Sequence, residues 1–446
     1  MVCGGSFAGP PSRPAAQGSG QGGRVRGGCH DGRVKDHPVT VVGLLSGTSY
    51  DAVDACAAEL WRDGAELVLR PLGLHSAGFP TALRRRIAAC LPPAATTMEE
   101  VCRLDTELGQ FFGRVAAQAC ATVAGGAADL VVSHGQTVYH WVEGSRAKGT
   151  LQLGAAAWIA EATGLPVISD LRTRDIAKGG QGAPLASTMD ALLLPAGPQR
   201  RGALNLGGIA NITVRTGHNA GDGTAGDRDR DGSGGGGGGV VAYDLGPANA
   251  LIDAAAVAAS GGTQTMDAGG ARAARGKVDT GLLQRLLDEP YYRLPAPKST
   301  GKEIFNARYL HQHLDGQQTA ADDVVATVTE LTAALVAQAC TTHQLSELVV
   351  SGGGVRNPVL MARIAARCGP HLRLADSAEL GLDAQGKEAY LFALLGYLSY
   401  CQLAGNIPSA TGASGPAVLG SLTPGNEPLR LPEPATTPPE RLRVQN

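Results

Sequence analysis

Apolar and polar positions along this chain follow two alternating rhythms. Val39-Thr40-Val41-Val42-Gly43-Leu44-Leu45 is a β-branched, apolar run ending in small residues, the pattern of a buried strand. A second strand-like segment runs from Ala52 to Leu60, and the Ser-Gly-Thr turn between the two makes a hairpin with exposed backbone N–H groups. Residues 78–125, rich in Ala, Leu, Arg and Glu, read as helices. Leu130-Val131-Val132 predicts a short buried strand that stops at Ser133-His134-Gly135-Gln136. Leu165 to Ile168 predicts another, running into Ser169-Asp170.

The pattern then restarts. Residues 202–214 again read as strand, glycine-containing turn and strand, centred on Gly207-Gly208. Val240 to Tyr243 adds a strand ending at Asp244, residues 320–343 read as helix, and Leu348-Val349-Val350 leads into Ser351-Gly352-Gly353-Gly354. Each half opens with a hairpin and then alternates strands with helices, a repeat of architecture rather than of residues. Two α/β lobes of similar plan imply a ligand cleft between them.

Length agrees: 446 residues exceed what one hydrophobic core usually serves. The expected division is an extension at 1–38, a first lobe at 39–198, a second lobe at 199–423 and a loose Pro-rich tail at 424–446. Residues 216–239, with Asp, Arg and six consecutive glycines, read as a flexible insertion in a hairpin connection. The extension is Gly-, Pro- and Arg-rich without an apolar core, which argues against a secretory signal and leaves disorder or an organelle transit peptide. Nine scattered cysteines without C-x-x-C spacing read as reduced thiols, so the expected location is cytoplasmic, or an organelle lumen if the extension is a transit peptide. A net charge of −2 without basic runs excludes a nucleic-acid footprint, and no membrane span is expected.

Polar and glycine residues gather where the predicted strands end, at Ser46–Asp54, Ser133–Thr137, Asp170–Pro184, Asn205–Asn211, Asp244–Asn249 and Ser351–Asn357. An α/β fold aims backbone N–H groups at ligands from such places. Neither a P-loop nor a dinucleotide fingerprint is present. The first hairpin would instead hold phosphate through backbone amides and the Thr48 and Ser49 hydroxyls, with Asp51 and Asp54 orienting Mg²⁺ through water.

These blocks, in order, resemble the anhydro-N-acetylmuramic acid kinases: Gly43–Asp51, Ser133–Val138, Asp170–Pro184, Asn205–Asn211, Ser351–Asn357 and Lys387–Ala389. The resemblance implies a two-lobed actin/hexokinase-like (ribonuclease H-like) α/β fold with a central cleft, ATP and Mg²⁺ as cofactors, and a homodimer. It implies transfer of the ATP γ-phosphoryl to O6 of 1,6-anhydro-N-acetylmuramic acid as water opens the anhydro bridge at C1. ATP would meet Gly47, Thr48, Ser49, Tyr50, Asp51, Ala52, Val53 and Asp54, together with Gly207, Gly208, Asn211, Gly353 and Gly354. The sugar would meet His134, Gln136, Arg172, Arg174 and, from the other lobe, Glu388. Arg172 or Arg174 suits the lactyl carboxylate. Asp175 is the expected base, with Asp170 as the competing carboxylate; no metal ligand set is legible. The chain departs from the family's usual residues at Tyr50, Ala52, Leu171, Thr173, Leu245 and Ala248. Those departures keep two alternatives open, a member that binds sugar or nucleotide with little turnover and a kinase for a related amino sugar.

Overall fold

Val39–Leu45 forms the middle of a seven-stranded sheet in a computed structural model. The structure describes residues 37–47, 50–92, 94–144, 146–194, 199–215, 239–301, 304–314, 319–382 and 386–446. The readings of residues 1–36 and of the insertion at 216–238 lie outside the described residues, as do Thr48 and Ser49.

The sheet runs Ser421–Thr423, Val167–Ser169, Leu130–Ser133, Val39–Leu45, Ala52–Asp63, Glu66–Gly78, Arg441–Val444. Val39–Leu45 pairs antiparallel with Ala52–Asp63 and parallel with Leu130–Ser133. Because side chains alternate along a strand, Val42 and Leu44 enter one core while Val41 and Leu45 enter another. The first core is filled by helix Met98–Ala121, whose N-cap Thr97 accepts from Glu100 N at 3.1 Å. The second is filled by helix Lys387–Tyr400, apolar all round and therefore buried. Gly43 lets that helix lie directly on the strand: a Cβ there would stand 2.7 Å from the Ala389 carbonyl oxygen.

A second, five-stranded sheet runs Val240–Pro247, Ile209–Arg215, Arg201–Leu206, Glu347–Ser351, Arg373–Asp376. Counting strands by their order along the chain within each sheet, the five inner strands of the first sheet and all five of the second follow the order 3-2-1-4-5, with three antiparallel strands followed by two parallel ones. The repeat of architecture read from the sequence is thus a repeat of topology. Ala321–Thr342 is the described helix long and apolar enough to cross a membrane, and its side chains fill the core of this second lobe.

Two features depart from the expected division. Helix Lys387–Tyr400, placed by sequence order in the second lobe, packs in the first lobe's core with Leu382, Leu403 and Leu419. The tail is not loose at its end, because Arg441–Val444 pairs in parallel with Glu66–Leu69 and buries Leu442. A separate ribbon, Gln136–Glu143 with Arg146–Leu153, follows the Ser133–Thr137 block. The seven described cysteines are all free.

Candidate active site

Two strand ends of the first lobe converge on one side chain, Arg172. Leu130–Ser133 stops at His134, and Val167–Ser169 stops at Asp170, a non-glycine residue held at φ 54°. Arg172 donates from Nε to His134 Nε2 at 2.9 Å and from a terminal nitrogen to the Gly182 carbonyl at 2.7 Å. The other imidazole nitrogen, Nδ1, lies 2.9 Å from the Gly135 carbonyl, so it carries the proton and the ring is neutral. Burial, then the Arg172 charge, pushes His134 down to about 3. Both ring nitrogens are engaged within the protein, and the ring orients Arg172. Burial also lowers Arg172 to about 10, against the opposing pull of Glu388 and Asp175, and the guanidinium stays charged at neutral pH.

Asp175 lies in the short helix Thr173–Ala177. Its side chain is fully buried, accepting from Gly182 N at 2.8 Å, Asn406 Nδ2 at 2.7 Å and Thr411 Oγ1 at 2.7 Å. This carboxylate joins the Gly179–Gly182 turn to residues 406–411. Asp170 is exposed and accepts from Thr173 Oγ1 at 2.6 Å. Arg174 is exposed. Gln136 is buried and accepts from Ser46 Oγ at 2.5 Å, joining its strand end to the first hairpin.

In that hairpin, Tyr50 N donates to Gly47 O at 3.1 Å and Tyr50 stands at φ 43°. Asp51 is exposed and ion-paired with Arg84, whose guanidinium also lies 5.8 Å from the centre of the Tyr50 ring. Asp54, on the strand beyond, accepts from Ser76 Oγ at 2.6 Å. The two aspartates therefore have different partners, and Asp54 is the one whose charge acts on Glu388. Ala52 and buried Val53 are in regular strand, so the methyl of Ala52 meets no left-handed backbone.

The second lobe presents its own hairpin. Gly207 O accepts from Asn249 N at 3.1 Å, and Gly208 O accepts from Ala248 N and Ala250 N, both at 3.0 Å. These bonds seat helix Asn249–Ala259 on the turn and satisfy its first N–H groups. Ala248 is not in the left-handed region, and Leu245 is packed in the second lobe's core rather than facing the cleft. Asn211 sits opposite Asn205 in the register. Gly353 and buried Gly354 follow Gly352, which turns at φ 88° so close to the hairpin that a Cβ would lie 2.3 Å from Asn205 Oδ1.

The lobes meet at Glu388, in the first turn of helix Lys387–Tyr400. Asn205 Nδ2 of the second lobe donates to Glu388 Oε1 at 3.1 Å. A small cavity here is lined by Met189, Asn205, Ser351, Glu388 and Leu391. Although its tip reaches the open cleft, enclosure by protein raises the Glu388 carboxyl above its ordinary value; Asn205, Lys387 and Arg172 oppose the rise and Asp54 adds to it. Asn205 was quoted within a strand-end block without a role, since nothing local foretells a bond to a residue 183 positions away.

Among the described residues, no group of three His, Cys, Asp or Glu side chains could hold a metal by itself. A cation that keeps its waters and binds chiefly to phosphate needs only one such carboxylate, and Asp54 fits that demand.

Two lobes of ribonuclease H-like order, with glycine turns meeting across a cleft, define the actin/hexokinase-like class. A family model described as anhydro-N-acetylmuramic acid kinase matches residues 39–224 and 235–425. A protein of that name from Streptomyces coelicolor is 55% identical over 405 residues, covering 91% of this chain and 98% of the relative. Others from Rhodococcus erythropolis (50% over 406 residues, 91% and 99% covered) and Salinibacter ruber (39% over 401 residues, 86% and 96% covered) bear the same name. The chain belongs to the anhydro-N-acetylmuramic acid kinase family. Likeness to solved structures is much weaker: a ROK hexokinase from Thermus thermophilus gives a TM-score of 0.31 at 16% identity over 80% of this chain and 99% of that one. The activator of the 2-hydroxyisocaproyl-CoA dehydratase from Clostridium difficile gives 0.35 at 12% identity over 80% and 92%. The lobe plan stands on its own topology, not on these likenesses.

Proposed function

We propose that this chain transfers the γ-phosphoryl group of ATP to O6 of 1,6-anhydro-N-acetylmuramic acid while water opens the bridge at C1. Water attacks C1, the C1–O6 bond breaks, and O6 forms the new bond to γ-phosphorus as the bond to the β–γ bridging oxygen breaks. The products are N-acetylmuramic acid 6-phosphate and ADP, and the water's proton passes to a carboxylate. Membership of the family supports the substrate pair. The observation that carries the chemistry is Glu388, a carboxylate at the lobe junction with a raised pKa, which suits a proton acceptor working near neutral pH.

Arg172, fixed by His134, would pair with the lactyl carboxylate, and Asn205 would hold Glu388 towards C1. The turns at Gly47 and Gly207–Gly208 would receive the phosphates. Asp54 would hold Mg²⁺ through water; when bound, the ion offsets the charge of the β- and γ-phosphates.

Turnover in ¹⁸O-water, stopped early and analysed by mass spectrometry, tests the reaction: one phosphate at O6 and one ¹⁸O at C1 are expected. Phosphorylation without ¹⁸O would overturn the coupled ring opening. Glu388→Gln is expected to lower kcat by roughly 10²-fold or more with ATP affinity retained; an unchanged kcat would move the base elsewhere, with Asp170 next to test.

A further inference from the structure

Asp190 and Lys387 form an ion pair inside the junction of the lobes, 2.6 Å between Oδ1 and Nζ, with side chains 2% and 8% exposed. The proposed chemistry uses neither. Asp190 lies on helix Ala186–Leu193, whose Met189 and Leu193 pack in the first lobe's core. Lys387 opens the helix that carries Glu388.

Two bonds tie this pair to the second lobe. Thr213 Oγ1 donates to Asp190 Oδ2 at 3.1 Å, and Lys387 Nζ donates to Ser351 Oγ at 3.2 Å. Ser351 Oγ in turn donates to the Leu204 carbonyl at 3.2 Å. One ammonium and one carboxylate therefore connect two helices of the first lobe to strands Arg201–Leu206, Ile209–Arg215 and Glu347–Ser351 of the second.

Stability alone is a poor reason for this arrangement. Desolvating two charges roughly cancels their attraction, and apolar replacements of such pairs are often neutral or better. The location is also unfavourable for a cation, because the first turn of a helix carries the positive end of its dipole. No side chain caps this turn, which Gly386 precedes. What the pair does achieve is a fixed first turn. Lys387 points inward to Asp190 and Ser351, and its neighbour Glu388 points outward to Asn205 and the cleft.

We propose that Lys387, clamped by Asp190, is a positioning residue for the sugar step, fixing Glu388 against the strand ends of the second lobe. The inference rests on the reading of Glu388 as the residue that meets the sugar. Neither Lys387 nor Asp190 stands in a turn proposed to receive the phosphates, so the larger effect is expected on the sugar.

The test compares steady-state kinetics and thermal melting of wild type, Lys387→Met/Asp190→Asn, Thr213→Val/Ser351→Ala, and Glu388→Gln. The first double variant removes both charges and leaves none unpaired. Its kcat/KM for the sugar is expected to fall about tenfold or more, since small misplacement of a reacting group is costly, while KM for ATP stays within about twofold. The groups acting on Glu388 are Asn205, Lys387, Arg172 and Asp54. Removing the Lys387 charge takes away a force that favours the ionised carboxylate, so the acid limb of the kcat/KM profile should move to higher pH. The second double variant keeps the ion pair but cuts its bonds to the other lobe, and should raise the sugar KM by roughly two- to tenfold. A folded charge-free variant with wild-type sugar kinetics and pH profile overturns the proposal. If that variant does not fold, wild-type sugar kinetics in Thr213→Val/Ser351→Ala overturn it instead. Unchanged sugar kinetics in Glu388→Gln would reject the underlying reading of Glu388, whereas loss there alone, with both double variants normal, would reject only the positioning role.

Discussion

His134 accepts the Nε–H of Arg172 at 2.9 Å, which makes a neutral imidazole the support for a buried guanidinium. The pairing works only while the ring is unprotonated, since an imidazolium would turn a second positive charge on Arg172.

Acid should therefore destabilise the wild type through this site. The folded pKa of His134, about 3, lies below its ordinary value of 6.5, so between those values the unfolded chain binds a proton that the folded chain refuses. Stability falls as pH drops through that window, by up to about 1.4 kcal/mol per pH unit from this residue. Urea unfolding of His134→Gln between pH 6.5 and 4 should show a correspondingly shallower slope.

Arg172→Lys keeps the charge but loses the fork that reaches His134 and the Gly182 carbonyl together. A rise of roughly tenfold in KM for the sugar is expected, with KM for ATP unchanged. Initial rates with each substrate varied in turn check this.

Asp175→Asn should act on stability before chemistry. An amide cannot accept from Gly182, Asn406 and Thr411 as the carboxylate does, and a buried donor left unpaired costs about 1–3 kcal/mol. Denaturant unfolding should show that loss. A wild-type pH profile in the activity that remains excludes Asp175 as the proton acceptor, whereas loss of the acid limb assigns it that role.

Gly352→Ala places a methyl at φ 88° and within 2.3 Å of Asn205 Oδ1. The backbone strain alone costs about 1–3 kcal/mol, and the displaced Asn205 would release Glu388. A lowered Tm with weakened sugar saturation is the expected pair of observations.

Deleting residues 441–446 removes the strand that covers the edge of Glu66–Gly78, together with buried Leu442 and the Arg443 ion pairs to Asp63 and Glu66. A loss of about 1.5–3 kcal/mol is expected from the Leu442 side chain, measurable by chemical denaturation. The bared edge should also promote association on heating, seen by light scattering.

Much of this was legible before any coordinates. Alternation in Val39–Leu45, the two hairpins and the glycine turns at strand ends are local patterns, and local patterns report local structure. Arg172 and Gln136 stand inside such blocks, whereas Glu388 was named only through the family resemblance. What stayed hidden depends on distant segments. Nothing near Asp175 announces Asn406 or Thr411, more than 200 positions away, which hold its carboxylate in place. Asp190 and Lys387 read as an ordinary helix acid and an ordinary helix lysine until the lobes bring them together. The helix that starts at Lys387 was assigned to the second lobe because it follows that lobe in the chain. Its apolar surface on every side was the available sign that it belongs within a core.

That helix, with the strand at Arg441–Val444, also sets an order of assembly. Every strand of the second sheet lies between Arg201 and Asp376, so that lobe has its whole framework once those residues have been made. The first lobe begins at Val39 yet lacks its central helix until residues 387–400 have been made, and one edge until residues 441–444 have followed. The half synthesised first is thus completed last, and a chain ending shortly after Asp376 would carry one finished lobe beside one with an open core.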